Sequence, residues 1–530
     1  MGTSDRSSPA GRTHLAVVVV PVLGALVHAL RFTGCSVDDA YISFRYAANL
    51  ARGQGLVFNA GERVEGFSNF LWTLLAAAML RVGASAPLWM PLVALGALLA
   101  LVAVTARGVR ALADDPAHPG ALRGSVAAAV VALSGGLGYH AFAGLETVPF
   151  TLAFTVAALA AVQRRPTSFA VVTAVAFLLR PEAGLVGAWG LAVLALGPDG
   201  RRRALRATAL LALLVGPYLA WKWSYFGALL PNTLHAKTPD RVAGLHYLGA
   251  WMASAGGLAL LAATGLRRMR FAERALLALV ALHTAAVVLE GGDWMLGFRL
   301  FLPSLPCLAV VFEAQLRERL AAPGTFAPRA AALLSALAVL LWGAQNVVDG
   351  GRIAHVNELQ APQDEAHAAL ARELRDRGAR SVGLHDIGVF GYAAPSVRIA
   401  DLGALTDTTL ARLPGGMGRK HVDDAWLLAR NPDLLLFNAF PVGALGDPHP
   451  VLRVQWPVER RLMALATFRE RYVAECAASI AGYHVALVYR RRDAALAPPP
   501  AGALCTTLPA ALAHAGRWSA SLAAAFSPDD

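Results

Sequence analysis

Long apolar segments fill the first two thirds of the chain. A membrane-spanning helix needs about 20 mostly apolar residues, and eleven segments read as spans, two of them as a short tilted pair. The apolar run at 68–82 is treated as non-crossing, either surface-bound or re-entrant, because a crossing there would reverse every later loop. The eleven segments lie at 14–30, 88–106, 124–140, 147–163, 168–180, 183–197, 207–224, 246–266, 275–290, 299–316 and 330–347.

The pattern changes after Gln345. Residues 349–530 hold no long apolar run, and 363–377 has apolar positions at helical spacing. Short apolar, partly β-branched runs predict strands at 381–384, 397–400, 434–437 and 484–489. Alternating helices and strands indicate a small α/β domain. The predicted organisation is a membrane domain over 1–348, an α/β domain over 349–495 and a Pro/Ala-rich tail over 496–530.

Composition agrees with a membrane protein. Hydrophobic residues make up 56% of the chain, charged residues only 15%, and the mean hydropathy is +0.50. Soluble domains average about 45–50% apolar and about 25% charged residues. Intrinsic disorder and a purely soluble protein are therefore excluded. The net charge of +12 does not indicate nucleic-acid binding, because the basic residues fall between apolar runs rather than on one stripe.

The basic clusters predict the orientation. Arginines concentrate near 107–110, 164–165, 201–206, 267–274 and 317–319, in alternate loops. The positive-inside rule places such loops in the cytoplasm. The fold class predicted is thus a mostly α, polytopic membrane bundle of about eleven spans, in the cell inner (plasma) membrane. Its N-terminus would be cytoplasmic and its α/β domain extracytoplasmic, and whether Cys476 and Cys505 pair there stays open.

The first outer loop, 31–87, offers an acidic pair. Asp38 and Asp39 follow the first span directly, and a carboxylate there can act as a general base towards a hydroxyl. The alternative is that Asp38 simply caps the following helix. Arg45 lies six residues after Asp39 and could pair with one carboxylate, and Glu65 precedes an apolar, Trp-bearing segment.

The later outer loops add charged groups at helix ends. Glu146 either opposes a helix dipole or faces the same outer cavity as the acidic pair. Arg180 and Glu182 either pair with each other or offer a guanidinium to a phosphate. Unusual polar residues also collect in the remaining two outer loops: Asn232, His235, Lys237, Asp293 and Arg299. An outward-facing site at bilayer level suits a substrate with a lipid tail and a polar head.

The run VDDAYISFRYAANLARGQGLVFNAGERVEGFSNFLW, at 37–72, resembles the GT-C polytopic glycosyltransferases. Within them it is most similar to the terminal β-(1→2) arabinofuranosyltransferase group of the actinobacterial cell wall and its bacterial relatives. The similarity continues in order through GLET at 144–147, LRPE at 179–182, LPNT at 230–233 with AK at 236–237, GGDWM at 291–295 with Arg299, HDIG at 385–388 and DLG at 401–403.

This resemblance implies an inverting glycosyltransferase with a polyprenyl-phosphate sugar donor and a cell-envelope glycan or glycolipid acceptor. One member of the Asp38/Asp39 pair would be the catalytic base. Lys237, Arg299 and Arg180 would hold the phosphate, and Glu146 and Asp293 would contact sugar hydroxyls. The sugar, with arabinofuranose a candidate, and the acceptor are not determined by the motifs.

Three further points stay open. His385, with Asp386 and Asp401, lies at predicted strand ends, where α/β sheets place ligands, but these residues could equally be turns and caps. No cofactor is required by the motifs, although Asp38, Asp39 and Glu146 could bind a divalent cation. The competing functions are a transporter or flippase of a lipid-linked glycan and a non-enzymatic membrane scaffold.

Overall fold

The computed structural model describes residues 9–112, 124–321, 327–442 and 451–514. The first part is helical and the last part is a mixed α/β domain. The helices of the first part are α1 (Pro9–Ala29), α2 (Asp38–Ala51), α3 (Phe70–Arg81), α4 (Ala86–Ala111), α5 (Ser125–Ala132), α6 (Gly135–Phe142), α7 (Thr147–Val162), α8 (Pro166–Leu179), α9 (Ala183–Ala195), α10 (Gly200–Phe226), α11 (Asn232–Ala236), α12 (Arg241–Ala263), α13 (Phe271–Glu290), α14 (Leu305–Ala321) and α15 (Ala327–Asp376).

Several of these helices can cross a membrane. Among the described residues, five are long and apolar enough, and the bent pair α5–α6 makes a sixth if it counts as one span. Shorter apolar helices lie at four of the remaining predicted spans, 14–30, 147–163, 168–180 and 183–197, and α14 overlaps the fifth, 299–316, so the count of eleven stays a prediction. Helix α3 has 12 residues and a length of roughly 18 Å, shorter than a hydrocarbon core of about 30 Å. The predicted spans α8 and α9 have a similar length, 14 and 13 residues, so the non-crossing placement of 68–82 also stays a prediction.

The basic loops contact one another at one end of the bundle. The Arg164 guanidinium donates to the carbonyl of Leu196 at 2.8 Å and lies 5.6 Å from the Phe271 ring centre. Further contacts of this kind join α4 to α13 and α14 to α12, through Arg270 to Leu112 and Arg319 to Leu261. The alternation of basic and acidic loops along the sequence therefore becomes a separation between two ends of the folded bundle.

The C-terminal domain is built on one six-stranded sheet. Its elements are β1 (Ser381–Leu384), α16 (Ile387–Ala393), β2 (Arg398–Asp401), α17 (Thr408–Arg412), α18 (Asp424–Arg430), β3 (Leu434–Val442), β4 (Val451–Val454), α19 (Pro457–Ala464), α20 (Ala466–Arg471), β5 (Tyr472–Ile480), β6 (His484–Arg491) and α21 (Leu508–His514). The strand order is β2-β1-β3-β6-β5, with β4 beside β3. The four predicted strands and the α/β character are confirmed.

The sheet is parallel on one side and antiparallel on the other. Strand β1 pairs in parallel with β2 and β3, with Gly383 opposite both Ala400 and Leu435. Strands β3, β6 and β5 pair antiparallel, with Phe437 opposite Leu487. The carboxyl ends of β1 and β2 therefore share one edge, which lies towards helix α2 because α16, directly after β1, packs on α2.

Helix α15 joins the two parts without a break. It runs through the predicted domain boundary at 348/349 and ends at Asp376, so the boundary lies within a helix rather than in a linker. The start of the predicted tail is fastened to the sheet by a disulfide between Cys476 and Cys505 and by pairing of Ala477 with Thr506. Residues 515–530 of that tail lie outside the described residues.

Candidate active site

Helix α2 begins at the acidic pair. Asp38 and Asp39 occupy its first turn, where carboxylates interact favourably with the helix dipole. The Asp38 carboxylate also accepts hydrogen bonds from the backbone N–H groups of Gly388, at 2.9 Å, and Val389, at 2.7 Å. It thereby binds the N-terminus of α16, more than 340 residues later in the chain. Burial, and secondarily the nearby Asp386, raises the pKa of Asp38 well above its ordinary value.

Asp39 has a different environment. Within the described ranges its carboxylate has neither a hydrogen-bond partner nor an ion pair within 4 Å. Burial raises its pKa, and the opposing influence comes from the positive charges of Arg299 and Lys237. Of the two aspartates, Asp39 therefore has the carboxylate that is free to accept a proton, beside two cations.

A glycine turn brings Asp293 and Arg299 to this place. Helix α13 ends at Gly291, whose φ of 102° favours glycine, and a Cβ at Gly292 would lie 2.7 Å from Tyr247. The chain then reverses, and Arg299 Nε donates to Asp293 Oδ2 at 2.5 Å. Although burial opposes it, Arg299 holds the pKa of Asp293 below its ordinary value. This ion pair lies beside Asp39.

Three helix ends supply a second charged group. Arg180 follows α8 and donates to Glu182, the residue before α9, at 2.7 Å. Its guanidinium also lies 3.4 Å from Glu146, which precedes α7 and accepts from the Asn69 amide at 2.7 Å. Arg180 therefore pairs with Glu182, the first alternative for it, and also with Glu146. Binding of a phosphate by its guanidinium stays a prediction.

A narrow cleft of about 40 Å³ lies among these charged residues. Its walls are charged where Arg180, Glu182, Glu290 and Arg299 meet. The other lining residues are mainly apolar: Phe150, Leu185, His283, Ala286, Val287, Leu300 and Pro303. Two polar atoms at the charged end, Arg180 Nε and Glu182 Oε2, are buried without a hydrogen-bond partner among the described residues. The cleft therefore combines an unsatisfied polar end with an apolar body.

The structure places Arg45 elsewhere. Its side chain is only 2% exposed, and its donors reach the carbonyls of Phe58, Gly391 and Val397 at 2.7–2.8 Å and the Asn59 amide oxygen at 3.3 Å. The guanidinium joins α2 to the C-terminal domain, and it is not brought to the charged cluster. Its expected pairing with an aspartate is wrong, because these acceptors take its N–H groups.

Glu65 and Asn232 have structural contacts, Glu65 within the helical part and Asn232 with the C-terminal domain. Glu65 forms a buried ion pair with Lys222 at 2.8 Å, and burial raises its pKa to about 7 although Lys222 opposes the rise. The Asn232 amide donates to the carbonyls of Ala404 and Leu405 at 3.0 and 2.9 Å. Neither side chain contacts Asp39 or the Arg299–Asp293 pair.

The structure places the remaining predicted site residues in different regions. Lys237 is exposed and close enough to influence Asp39 and Asp293 electrostatically. His235 is exposed and contacts Lys420 through its carbonyl at 3.2 Å. His385 lies in the C-terminal domain, where its Nδ1 is 3.0 Å from Asp386 Oδ1. In the described ranges, no three His, Cys, Asp or Glu side chains are grouped to hold a metal ion, and the divalent cation stays an open question.

The cleft also includes residues that the motifs did not supply. His283 and Glu290 lie seven residues apart on α13 and both line it. A spacing of seven places two residues on one helix face, so this pair was detectable as a polar stripe on an otherwise apolar helix.

Comparisons with known proteins agree with this architecture. The fold is similar to that of ArnT from Cupriavidus metallidurans. Its apo structure covers 89% of this chain and 97% of ArnT, with a TM-score of 0.53 and 13% identity. The structure bound to undecaprenyl phosphate covers 92% and 100%, with a TM-score of 0.57 and 13% identity.

In sequence, the chain is 29% identical over 221 residues to the terminal β-(1→2)-arabinofuranosyltransferase of Mycobacterium tuberculosis (strain ATCC 25618 / H37Rv). The match covers 38% of this chain and 34% of that enzyme, so it spans about a third of the curated relative. Residues 352–489 match a family described as a domain of unknown function (DUF8728). The resemblance to GT-C glycosyltransferases indicated by the motifs is confirmed.

The contact between Asp38 and α16 depends on Gly388. A Cβ at this position would lie 1.9 Å from the Asp38 carbonyl oxygen and 2.7 Å from its carbonyl carbon. We expect Gly388→Ala to separate α16 from α2 and to destabilise the protein by about 1–3 kcal/mol, as overpacking does. Thermal unfolding of the purified full chain would measure this loss.

The matched control is Gly249→Ala in α12, where a Cβ meets no atom within 4 Å. Alanine there should be neutral or slightly stabilising, because it favours helix more than glycine does. An unfolding midpoint for Gly388→Ala equal to that of Gly249→Ala would contradict the docking role.

Proposed function

We propose that this chain is an integral-membrane glycosyltransferase that moves a sugar from a polyprenyl-phosphate donor to a cell-envelope glycan, with inversion of configuration. The observation that carries the proposal is the Asp39 carboxylate, which lacks a direct partner and faces the Arg299–Asp293 pair and Lys237. The names of the relatives, an arabinofuranosyltransferase and an ArnT bound to undecaprenyl phosphate, support the same reaction class.

The phosphate of the donor would bind at the charged end of the narrow cleft between α7, α9 and α13. The phosphate would meet the guanidinium groups of Arg180 and Arg299, since a planar guanidinium binds two oxygens at once. Lys237 adds a third positive charge from the exposed side. The isoprenoid would follow the apolar part of the cleft towards the bilayer. Its free energy would change little there, because it stays in apolar surroundings.

Asp39 would act as the general base. It would take the proton from an acceptor hydroxyl while that oxygen attacks the anomeric carbon, and the bond from that carbon to the phosphate oxygen would break on the opposite face. Electrons from the broken bond would stay on the polyprenyl phosphate, whose charge the arginines stabilise. Asp38 would position the helix that carries Asp39, through its bonds to Gly388 and Val389.

The orientation completes the proposal. The charged site and the C-terminal domain would lie on the extracytoplasmic side of the plasma membrane, with the arginine-rich end in the cytoplasm. The bond between Cys476 and Cys505 supports this, because disulfides persist in oxidising compartments.

Replacement of the base tests the reaction. Asp39→Asn should lower the transfer rate by about 10²–10⁴, the usual contribution of a general base, with an unchanged unfolding midpoint. Asp38→Asn should have a smaller effect on the rate, because an asparagine oxygen still accepts one of the two α16 N–H groups. Transfer would be measured with a polyprenyl-phosphate sugar extract; full activity in Asp39→Asn would refute the assignment.

The pH profile provides a separate test. A base must be ionised, so the rate should fall as the pH falls through the raised pKa of Asp39, above the ordinary value of about 4. Lys237→Met removes a cation that lowers this pKa, and it should move the acidic limb of log kcat/KM to higher pH. Arg63 is an exposed cation in the first outer loop, which also contains Asp39. The control Arg63→Met should leave the acidic limb in place. Equal profiles for Lys237→Met and wild type would contradict the assignment.

Cysteine labelling tests the orientation. In a background with Cys35 and Cys307 replaced, Arg63→Cys and Arg469→Cys should react with a membrane-impermeant maleimide in intact cells. Arg268→Cys, in a basic loop, should react only after permeabilisation. All three side chains are exposed in the folded protein, so the opposite labelling pattern would reverse the proposed topology.

A further inference from the structure

A second group of buried polar side chains lies in the C-terminal domain. His385 directly follows β1, Asp401 ends β2, and Trp456 and Glu459 belong to the N-terminal turn of α19. Asp401 and Glu459 are each 1% exposed and His385 is 9% exposed. The carboxyl ends of adjacent parallel strands are where α/β sheets bind ligands.

Each of these four side chains presents a buried polar atom without a hydrogen-bond partner among the described residues. The four atoms are His385 Nε2, Asp401 Oδ1, Trp456 Nε1 and Glu459 Oε1. In folded proteins about 90% or more of such groups are paired. Four unpaired atoms in one region therefore point to a ligand that supplies both donors and acceptors.

The side chains are held rigidly through their other atoms. Asp401 Oδ2 accepts from the N–H of Thr406 at 2.7 Å, and Glu459 Oε2 accepts from the N–H of Trp456 at 3.2 Å. Asp386 Oδ1 lies 3.0 Å from His385 Nδ1. One polar atom of His385, Asp401 and Glu459 is thus fixed by the protein and the other is left for a partner. Trp456 leaves its only side-chain polar atom, Nε1, for a partner.

The four groups are contiguous. The His385 imidazole stacks on the Trp456 indole, with ring centres 3.9 Å apart and planes 17° apart. A Cβ at Gly403 would lie 3.1 Å from Asp401 Oδ1 and 3.8 Å from His385 Nε2. Asp386, which bonds His385, influences Glu459 electrostatically, so the Glu459 carboxyl lies near this histidine–aspartate pair.

A glycine-rich segment, residues 414–418, covers the stack. A Cβ at Gly418 would lie 2.6 Å from the Trp456 ring and 3.0 Å from His385 Nε2, and φ is 70° at Gly418 and 99° at Gly415. Only glycine permits this close approach and this backbone conformation. Gly418 presents no side chain to the stack, but its carbonyl accepts from the backbone N–H of Val458 at 2.9 Å. Movement of the segment would break this bond and uncover the unpaired atoms.

The four side chains beneath residues 414–418 lie near the proposed reaction centre. Asp386, which bonds His385 and accepts from the Asn438 amide at 2.9 Å, influences Asp38 and Asp39 electrostatically. On the other side of the segment, a Cβ at Gly416 would lie 3.5 Å from the hydroxyl of Thr238, the residue after Lys237. An extended ligand that enters at residues 414–418 would therefore reach both the histidine–tryptophan stack and the Asp39 site.

We propose that His385, Asp401, Trp456 and Glu459 form a subsite for one ring of the acceptor glycan, uncovered when residues 414–418 move aside. The assignment rests on the proposed transferase function. Sugar hydroxyls donate to the two carboxylates, a sugar oxygen accepts from the indole N–H, and the imidazole Nε2 accepts or donates. The four side chains include two acids and neither a lysine nor an arginine to bind a phosphate, so the ligand class is a neutral saccharide and not the head of the donor.

The test measures glycan binding without turnover. Asp39→Asn full-length protein in lipid nanodiscs would be titrated with neutral arabino-, galacto-, manno- and gluco-oligosaccharides. At least one class should bind. Asp401→Asn, Glu459→Gln and Trp456→Phe, added singly, should each weaken that binding about tenfold, since a hydrogen bond to a charged group contributes about 1.5–3 kcal/mol.

The matched control is Asp407→Asn in the same domain. Both Asp407 oxygens are already bonded, to the N–H groups of Thr409 and Leu410 and to Trp426 and Arg430. This variant should lower the unfolding midpoint and leave glycan affinity unchanged. Absence of binding by every oligosaccharide, or equal weakening by Asp407→Asn and Asp401→Asn, would overturn the subsite.

Donor binding separates this inference from the proposed function. Undecaprenyl phosphate retained by the nanodisc protein would be detected by native mass spectrometry, and transfer would be measured in the wild type. Intact donor binding and transfer together with unaltered glycan affinity in Asp401→Asn would refute the subsite alone. Glycan binding without either donor binding or transfer would instead count against the transferase.

Discussion

The docking of helix α2 against the C-terminal domain is the constraint on which the charged site depends. Asp38 and Arg45, both on α2, bond to backbone groups of residues 388–397 in the other domain. A hydrogen bond to a charged group contributes about 1.5–3 kcal/mol, and a buried charge left without partners costs more. Withdrawal of the domain would leave the Asp38 carboxylate without its two N–H donors and Arg45 with only the Phe58 carbonyl and the Asn59 amide oxygen. The domain therefore fixes the turn of α2 that carries Asp39.

Neighbouring aspartates acquire different roles because a helix turns about 100° per residue. Asp38 faces the N-terminus of α16, whose N–H groups have no partner within their own helix. Asp39 faces the cations on the loops after α11 and α13. The two carboxyls have similar burial but different surroundings, and this difference is the basis for proposing Asp38 as a positioning residue and Asp39 as the base.

Local sequence patterns predicted the helices, four strands and the charged helix ends. Apolar periodicity and charges at helix ends depend only on residues that are close together in the sequence. The roles of Arg45 and Asn232 could not be predicted, since their acceptors lie 346 and 172 residues away. Strand β5 was missed because its alanine-rich sequence, YVAECAASI, has weak β character. The continuous helix through 348/349 was missed because a change in composition does not require a break in the backbone.

The 50 residues of α15 extend about 75 Å at 1.5 Å per residue. Pro362 lies within this helix, and a proline there removes one backbone hydrogen bond and favours a bend. The part of α15 before Pro362 and the part that enters the C-terminal domain can therefore tilt separately. A change of tilt in the bilayer would then be absorbed at this point and would not be passed rigidly to the sheet.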